Sequence, residues 1–233
     1  MTRVAIMQPY FLPYIGYYQL IAAVDLFVVY DGIKYTKKGW INRNRMLLNG
    51  EAATFTLPLK AASDSLDIDE RELSSDFDRR KLLRQIENAY RHAPYFDETF
   101  PRLERIVTYD GENLFAFLLN SLEVSTAHLG IETELRIASA IAADHDLKGA
   151  ERVLAICDAV GASVYVNAIG GTELYDKGRF RQRGIELRFL KPSPPAYAQF
   201  GGDFVPWLSI LDVLMFNGAA AVRERYLPAF EFV

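Results

Sequence analysis

The chain has 233 residues, 50% of them hydrophobic and 24% charged, enough to bury a core without disulfide or metal. Its net charge of −4 argues against binding nucleic acid through overall charge, and no apolar run reaches the roughly 20 residues that span a bilayer. The N-terminus lacks a secretory layout, and the single Cys157 lies in an apolar helical pattern, so a cytoplasmic protein with a reduced, buried thiol is expected.

In chain order, residues 3–7 and 25–31 are apolar runs bounded by polar and turn residues. Both read as strands buried on two faces, hence parallel. Residues 17–24 between them suit a short helix, which makes a right-handed βαβ unit. Its first turn, Gln8-Pro9-Tyr10-Phe11-Leu12-Pro13-Tyr14-Ile15-Gly16, then sits at the carboxyl edge of the sheet, where open α/β sheets bind ligands. Residues 46–48 and 53–59 flank Asn49-Gly50 and predict a hairpin. Residues 61–80 hold seven Asp or Glu against three Arg and read as a surface loop. Helical spacing follows from 79 to near Pro94, over 100–107 and over 113–129, closed by Gly130. Residues 61–130 are therefore expected to form a helical insertion or lid within a single α/β domain, 1–233. A strand at 131–137, a helix at 148–160, a strand at 163–167, a short helix at 180–183, a strand at 185–190 and a last helix at 209–216 complete the pattern. The fold class predicted is α/β: a Rossmann-like parallel sheet with a helical insertion.

Candidate site residues cluster near the N-terminus. The stretch 33–49 carries Lys34, Lys37, Lys38, Arg43 and Arg45 with Asn42 and Asn44, and no acid. Such donors suit phosphate or carboxylate, Arg as a bidentate fork and Lys as a point charge; a solvated basic hairpin would look the same. In an extended segment Arg43 and Arg45 share one face, Asn42 and Asn44 the other. Gln8 ends a buried strand and needs a partner. Tyr10 and Tyr14 are candidate ligand hydroxyls among aromatics that otherwise pack. Asp31, at the end of the second strand, is the carboxylate candidate for acid/base or metal work, and Lys38 is the second catalytic candidate. Gly171 and Thr172 follow a strand and suit either an anion or a plain N-cap. Ser209 and Asp212, one turn apart, either cap the last helix or face the cleft. No histidine or cysteine spacing fits a metal site.

Three N-terminal motifs and a C-terminal one resemble the WbqC-like family of bacterial proteins. They are Gln8-Pro9-x-x-Leu12-Pro13-x-x-Gly16-Tyr17, Asp25-x-Phe27-Val28-x-Tyr30-Asp31, Lys38-x-Trp40-x-Asn42-Arg43-Asn44, and Leu208 to Leu214 with Phe216, Asn217 and Gly218. The family takes its name from O-antigen gene clusters, which implies a part in making surface polysaccharide or a related modified sugar. The first βαβ unit is also similar to that of nucleotidylyltransferase-like enzymes. There, histidines in the first turn stabilise a triphosphate, and this likeness makes ATP with magnesium the cofactor pair to test. Residues 8–16 contain no histidine. Either Lys37, Lys38, Arg43 and Arg45 supply the charge, or a pocket is retained without adenylyl transfer.

The expectation is a transferase, moving an acyl, aminoacyl or nucleotidyl group, with a small anionic substrate at the sheet edge. The alternatives are a non-catalytic binder of a phosphorylated or nucleotide-linked sugar, and an interaction subunit beside neighbouring biosynthetic enzymes.

Overall fold

The computed structural model describes residues 1–233. The apolar run near the N-terminus forms β1 (Arg3–Met7), followed by α1 (Ile15–Ala22) and β2 (Leu26–Val29). β1 and β2 pair in parallel, Val4 beside Leu26 through Met7 beside Val29. The hairpin β3 (Arg43–Leu48) and β4 (Glu51–Thr56) comes next. Three helices follow: α2 (Arg79–Tyr90), α3 (Phe96–Val107) and α4 (Leu114–Leu129). The chain then alternates as β5 (Glu134–Ile137), α5 (Gly149–Ala159), β6 (Val164–Ala168), α6 (Lys177–Gln182) and β7 (Glu186–Pro192). It closes with α7 (Ile210–Ala221) and β8 (Phe230–Phe232).

The six-stranded sheet has the order β5-β2-β1-β6-β7-β8. All its pairings are parallel except β7 with β8. From β1 the chain winds outward to β2 and β5, then returns to β6 on the other side of β1. That reversal makes the carboxyl edge between β1 and β6 the switch point of the sheet. Successive strand residues face opposite sides, and two cores result. Val4, Ile6, Val28 and Tyr165 pack with Val153, Ile156 and Cys157 of α5. Ala5, Phe27, Val29 and Val166 pack with α1, α4 and α7. Burial pushes the Cys157 thiol up to about 12, so it is chemically inert at neutral pH.

The hairpin starts three residues earlier than residues 46–48 predict. Arg43 to Arg45 are strand residues, paired with Thr56 to Thr54. Asn49 (φ 53°) and Gly50 (φ 81°) both adopt left-handed backbone, as a two-residue turn matching strand twist requires. Residues 61–80 differ from the surface loop expected. Ile68, Arg71, Leu73 and Phe77 are buried, and bridges join Lys34 to Asp67, Leu59 to Leu73 and Glu72 to Asn113. The acidic residues coat a segment whose apolar positions, four or five apart, reach the core. The last helix also runs beyond Asn217: it breaks at Gly218 (φ 70°, ψ 163°) and resumes.

A buried carboxylate ties α7 to its surroundings. Asp212 is fully buried. One of its oxygens accepts from the Tyr90 hydroxyl at 2.8 Å. The other accepts from the Tyr197 hydroxyl at 2.7 Å and the Gln199 amide at 2.6 Å. Tyr90 in turn accepts from the backbone N–H of Leu47. Burial raises the Asp212 carboxyl above its ordinary range, against the pull of its three donors. A raised acid favours the protonated native state, so the contribution of Asp212 to stability falls as pH rises from about 4 through its folded pKa. Asp212→Asn should remove that component. Urea unfolding of both proteins between pH 4 and 7 will show the wild-type-minus-variant difference shrinking as pH rises.

Candidate functional site

The turn after β1 is irregular and tightly held. Leu12 is buried yet has φ 44°, a left-handed conformation that disfavours a branched side chain by about 1–3 kcal/mol. Neighbouring segments over-determine it. Phe11 N–H donates to Ile41 O, and Ile210 N–H donates to Pro13 O, both at 2.9 Å. The Asn44 amide donates to Phe11 O at 3.1 Å and to Leu12 O at 2.8 Å. The Ser209 hydroxyl donates to Leu12 O at 2.7 Å and accepts from Leu211 N–H, capping α7. The turn, the hairpin and the start of α7 thus meet at one point.

Beside that point lies a cleft of about 300 Å³, lined by Tyr10, Pro13, Tyr14, Trp40, Asn44, Arg45 and Trp207. Arg45 is its one charged residue. The guanidinium donates to Trp207 O at 2.9 Å and stands 5.3 Å from the centre of the Trp40 ring, within cation–π range. Its Nε–H is buried and has no acceptor. Tyr10 accepts from the Gln8 amide at 2.8 Å, and burial raises the Tyr10 and Tyr14 phenols. Both stay protonated at neutral pH and can donate. Trp40 is 41% and Trp207 61% exposed, an unusual display for two indoles facing one space.

Gly16 positions part of this wall. A Cβ there would lie 2.3 Å from the Tyr14 hydroxyl oxygen, so glycine lets the Tyr14 ring fold back over the start of α1. Tyr14 then packs against Trp207, ring centres 5.8 Å apart.

Of the residues named from sequence, Tyr10, Tyr14, Asn44 and Arg45 line the cleft, and Gln8 supports it through Tyr10. The others lie elsewhere. Asn42 is buried between the Tyr35 hydroxyl and Leu57 O. Arg43 donates to Gly39 O and Lys38 O and so holds its own loop. Lys38 is exposed. Asp31 is buried past β2 and accepts from Ser139 N–H, anchoring the turn after β5. Gly171 is buried and Thr172 exposed after β6, while Ser209 and Asp212 have the internal partners given above. No lining residue comes from 61–130. Pro13 and Trp40 entered the sequence analysis as motif residues and not as site residues, and Trp207 did not enter it. The available signal for Trp207 was an aromatic after Pro206 in a long connector, 193–209, without regular structure.

A mostly parallel, Rossmann-like α/β sheet with helices on both faces defines the class. Within it, the sequence model of the WbqC-like protein family matches residues 8–224, and the chain belongs to that family. It is 31% identical over 226 residues to the uncharacterized protein Rv1507c of Mycobacterium tuberculosis, covering 95% of this chain and 96% of that protein. No solved structure matches it.

Asn44→Ala removes a donor shared by two buried carbonyls and should lower unfolding free energy by about 2–3 kcal/mol. Chemical denaturation will measure it. By contrast Gly16→Ala should displace Tyr14 with a stability change under about 1 kcal/mol, visible as altered tryptophan fluorescence.

Proposed function

We propose that the protein binds a small anionic molecule bearing a sugar or other flat apolar face in the aromatic cleft. We further propose that it serves a transfer reaction in surface-polysaccharide or modified-sugar biosynthesis. One observation carries the binding reading: Arg45 is the one charged residue of an acid-free cleft that two exposed indoles line. Phosphate or carboxylate is the natural acceptor for a guanidinium. The indoles and the neutral phenols supply apolar area with polar tips, suited to a ligand that is part ring and part hydroxyl. The polysaccharide context comes from the family resemblance alone.

A second reading, a non-catalytic carrier of a phosphorylated or nucleotide-linked sugar, is favoured by a different observation. The seven lining residues include no carboxylate, imidazole or thiol, so the cleft has no evident general base. Under the transfer reading, catalysis rests on positioning two bound reactants and on Arg45 stabilising developing charge.

A thermal-shift screen with ATP, nucleotide-sugars, acyl-coenzyme A and amino acids, each with and without magnesium, tests for the ligand. Arg45→Met should weaken the best binder at least tenfold, since a charge-assisted bond contributes roughly 1.5–3 kcal/mol. Arg43→Ala should instead lower unfolding stability by about 1–2 kcal/mol and leave affinity within twofold. Unchanged affinity in Arg45→Met sinks the anion reading.

A further inference from the structure

A second cleft, of about 260 Å³, adjoins the first. Tyr14 and Trp207 line both, so the two spaces meet across this aromatic pair. The rest of its wall includes Pro192 at the end of β7, three prolines of the 193–209 connector, Phe204, Leu208 and Val213. None of its lining residues is charged. The hydroxyls of its other tyrosines are committed elsewhere: Tyr197 donates to Asp212 at 2.7 Å, and Tyr226 donates to Asn217 at 2.8 Å. The space therefore presents mainly hydrocarbon to whatever enters it, with Ser193 as a polar residue of its lining.

We propose that this second cleft holds a short acyl chain of the same molecule whose anionic head lies at Arg45. The inference rests on the anion-cleft reading above and names its substrate class: an acyl-bearing anion. Three features select that occupant. Proximity comes first, because Tyr14 and Trp207 line both clefts and so stand directly between Arg45 and the second one. Size comes next: at roughly 30 Å³ for a group the size of a water molecule, the cleft takes on the order of eight carbons. A long prenyl chain does not fit. Charge is the third, since no Lys or Arg lines the cleft to meet an anionic lipid surface. The backbone adds support. Trp207, which lines both clefts, has φ 61°, a left-handed strain of the kind that gathers at ligand clamps.

The test is calorimetric titration of the full chain with ethyl, butyl, hexyl and octyl phosphate. Affinity should rise roughly three- to fourfold per added methylene, and the heat-capacity change should grow more negative along the series. Ser193→Glu, an exposed position on the rim of the second cleft, should flatten that slope. Arg45→Met should weaken all four probes by at least tenfold. Equal affinity for ethyl and octyl phosphate, both still dependent on Arg45, overturns the acyl cleft and leaves the anion cleft standing. A rising series indifferent to Arg45→Met overturns the anion reading and the shared-ligand proposal with it. A slope that survives Ser193→Glu, or no binding of octyl phosphate, also overturns the proposal.

Discussion

The site depends on the clasp around Leu12. A residue with a branched side chain is held in left-handed backbone, and its carbonyl takes two donors, the Asn44 amide and the Ser209 hydroxyl. Each donor comes from a different part of the chain. Asn44 brings the hairpin, and with it Trp40 and Arg45 on neighbouring positions. Ser209 brings α7 and the Trp207 that precedes it. The turn itself contributes Tyr10 and Tyr14. Without the clasp these groups have no common reference frame, because the hairpin lies outside the main sheet. Amides alternate with arginines over 42–45 for a related reason: Asn44 is buried in the clasp and Asn42 is buried against Tyr35 and Leu57, while Arg43 and Arg45 lie on the more exposed face.

The two arginines differ in how the surrounding carbonyls occupy their donors. Both stand near the Trp40 ring, at 5.6 and 5.3 Å. Arg43 spends its donors on the carbonyls of Lys38 and Gly39. Arg45 keeps one buried N–H without an acceptor. Residue type and spacing are the same for the pair, so only the surrounding carbonyls distinguish them. The same holds for the carboxylates: Asp31 and Asp212 are buried at structural junctions and take their hydrogen bonds from the protein.

Much of the fold was legible because it rests on local pattern. Strands buried on both faces read as apolar runs, as β1, β2 and the Val164–Val166 part of β6 do, whereas β7 interleaves Glu186, Arg188 and Lys191 with its buried residues. Asn49-Gly50 announced its hairpin through backbone chemistry alone. What was not legible depended on distant partners. The burial of Ile68, Leu73 and Phe77 is masked by the acids between them. The short β8 exists because β7 offers it an edge. In the site, Tyr10, Tyr14, Asn44 and Arg45 could be picked out as donors near a sheet edge. Trp207 joins them only through tertiary contacts with distant residues, Arg45 and Tyr14.

The sheet order has a consequence for how the protein is made. β2 finds its outer neighbour in β5, and the turn after β5 is anchored by Asp31 to Ser139, 108 residues apart. On a ribosome adding roughly 5–20 residues per second, the β1–β2 pair waits about 5–20 s for that neighbour. Throughout this interval it shows bare hydrogen-bonding edges, and β6, which covers the other side of β1, emerges later still. Such an intermediate is prone to wrong pairing. Its best protection is the segment translated in between, whose helices can settle on the α1 face before the sheet is complete. Nascent-chain folding is thus ordered by topology: the middle of the polypeptide shelters the beginning until the end arrives.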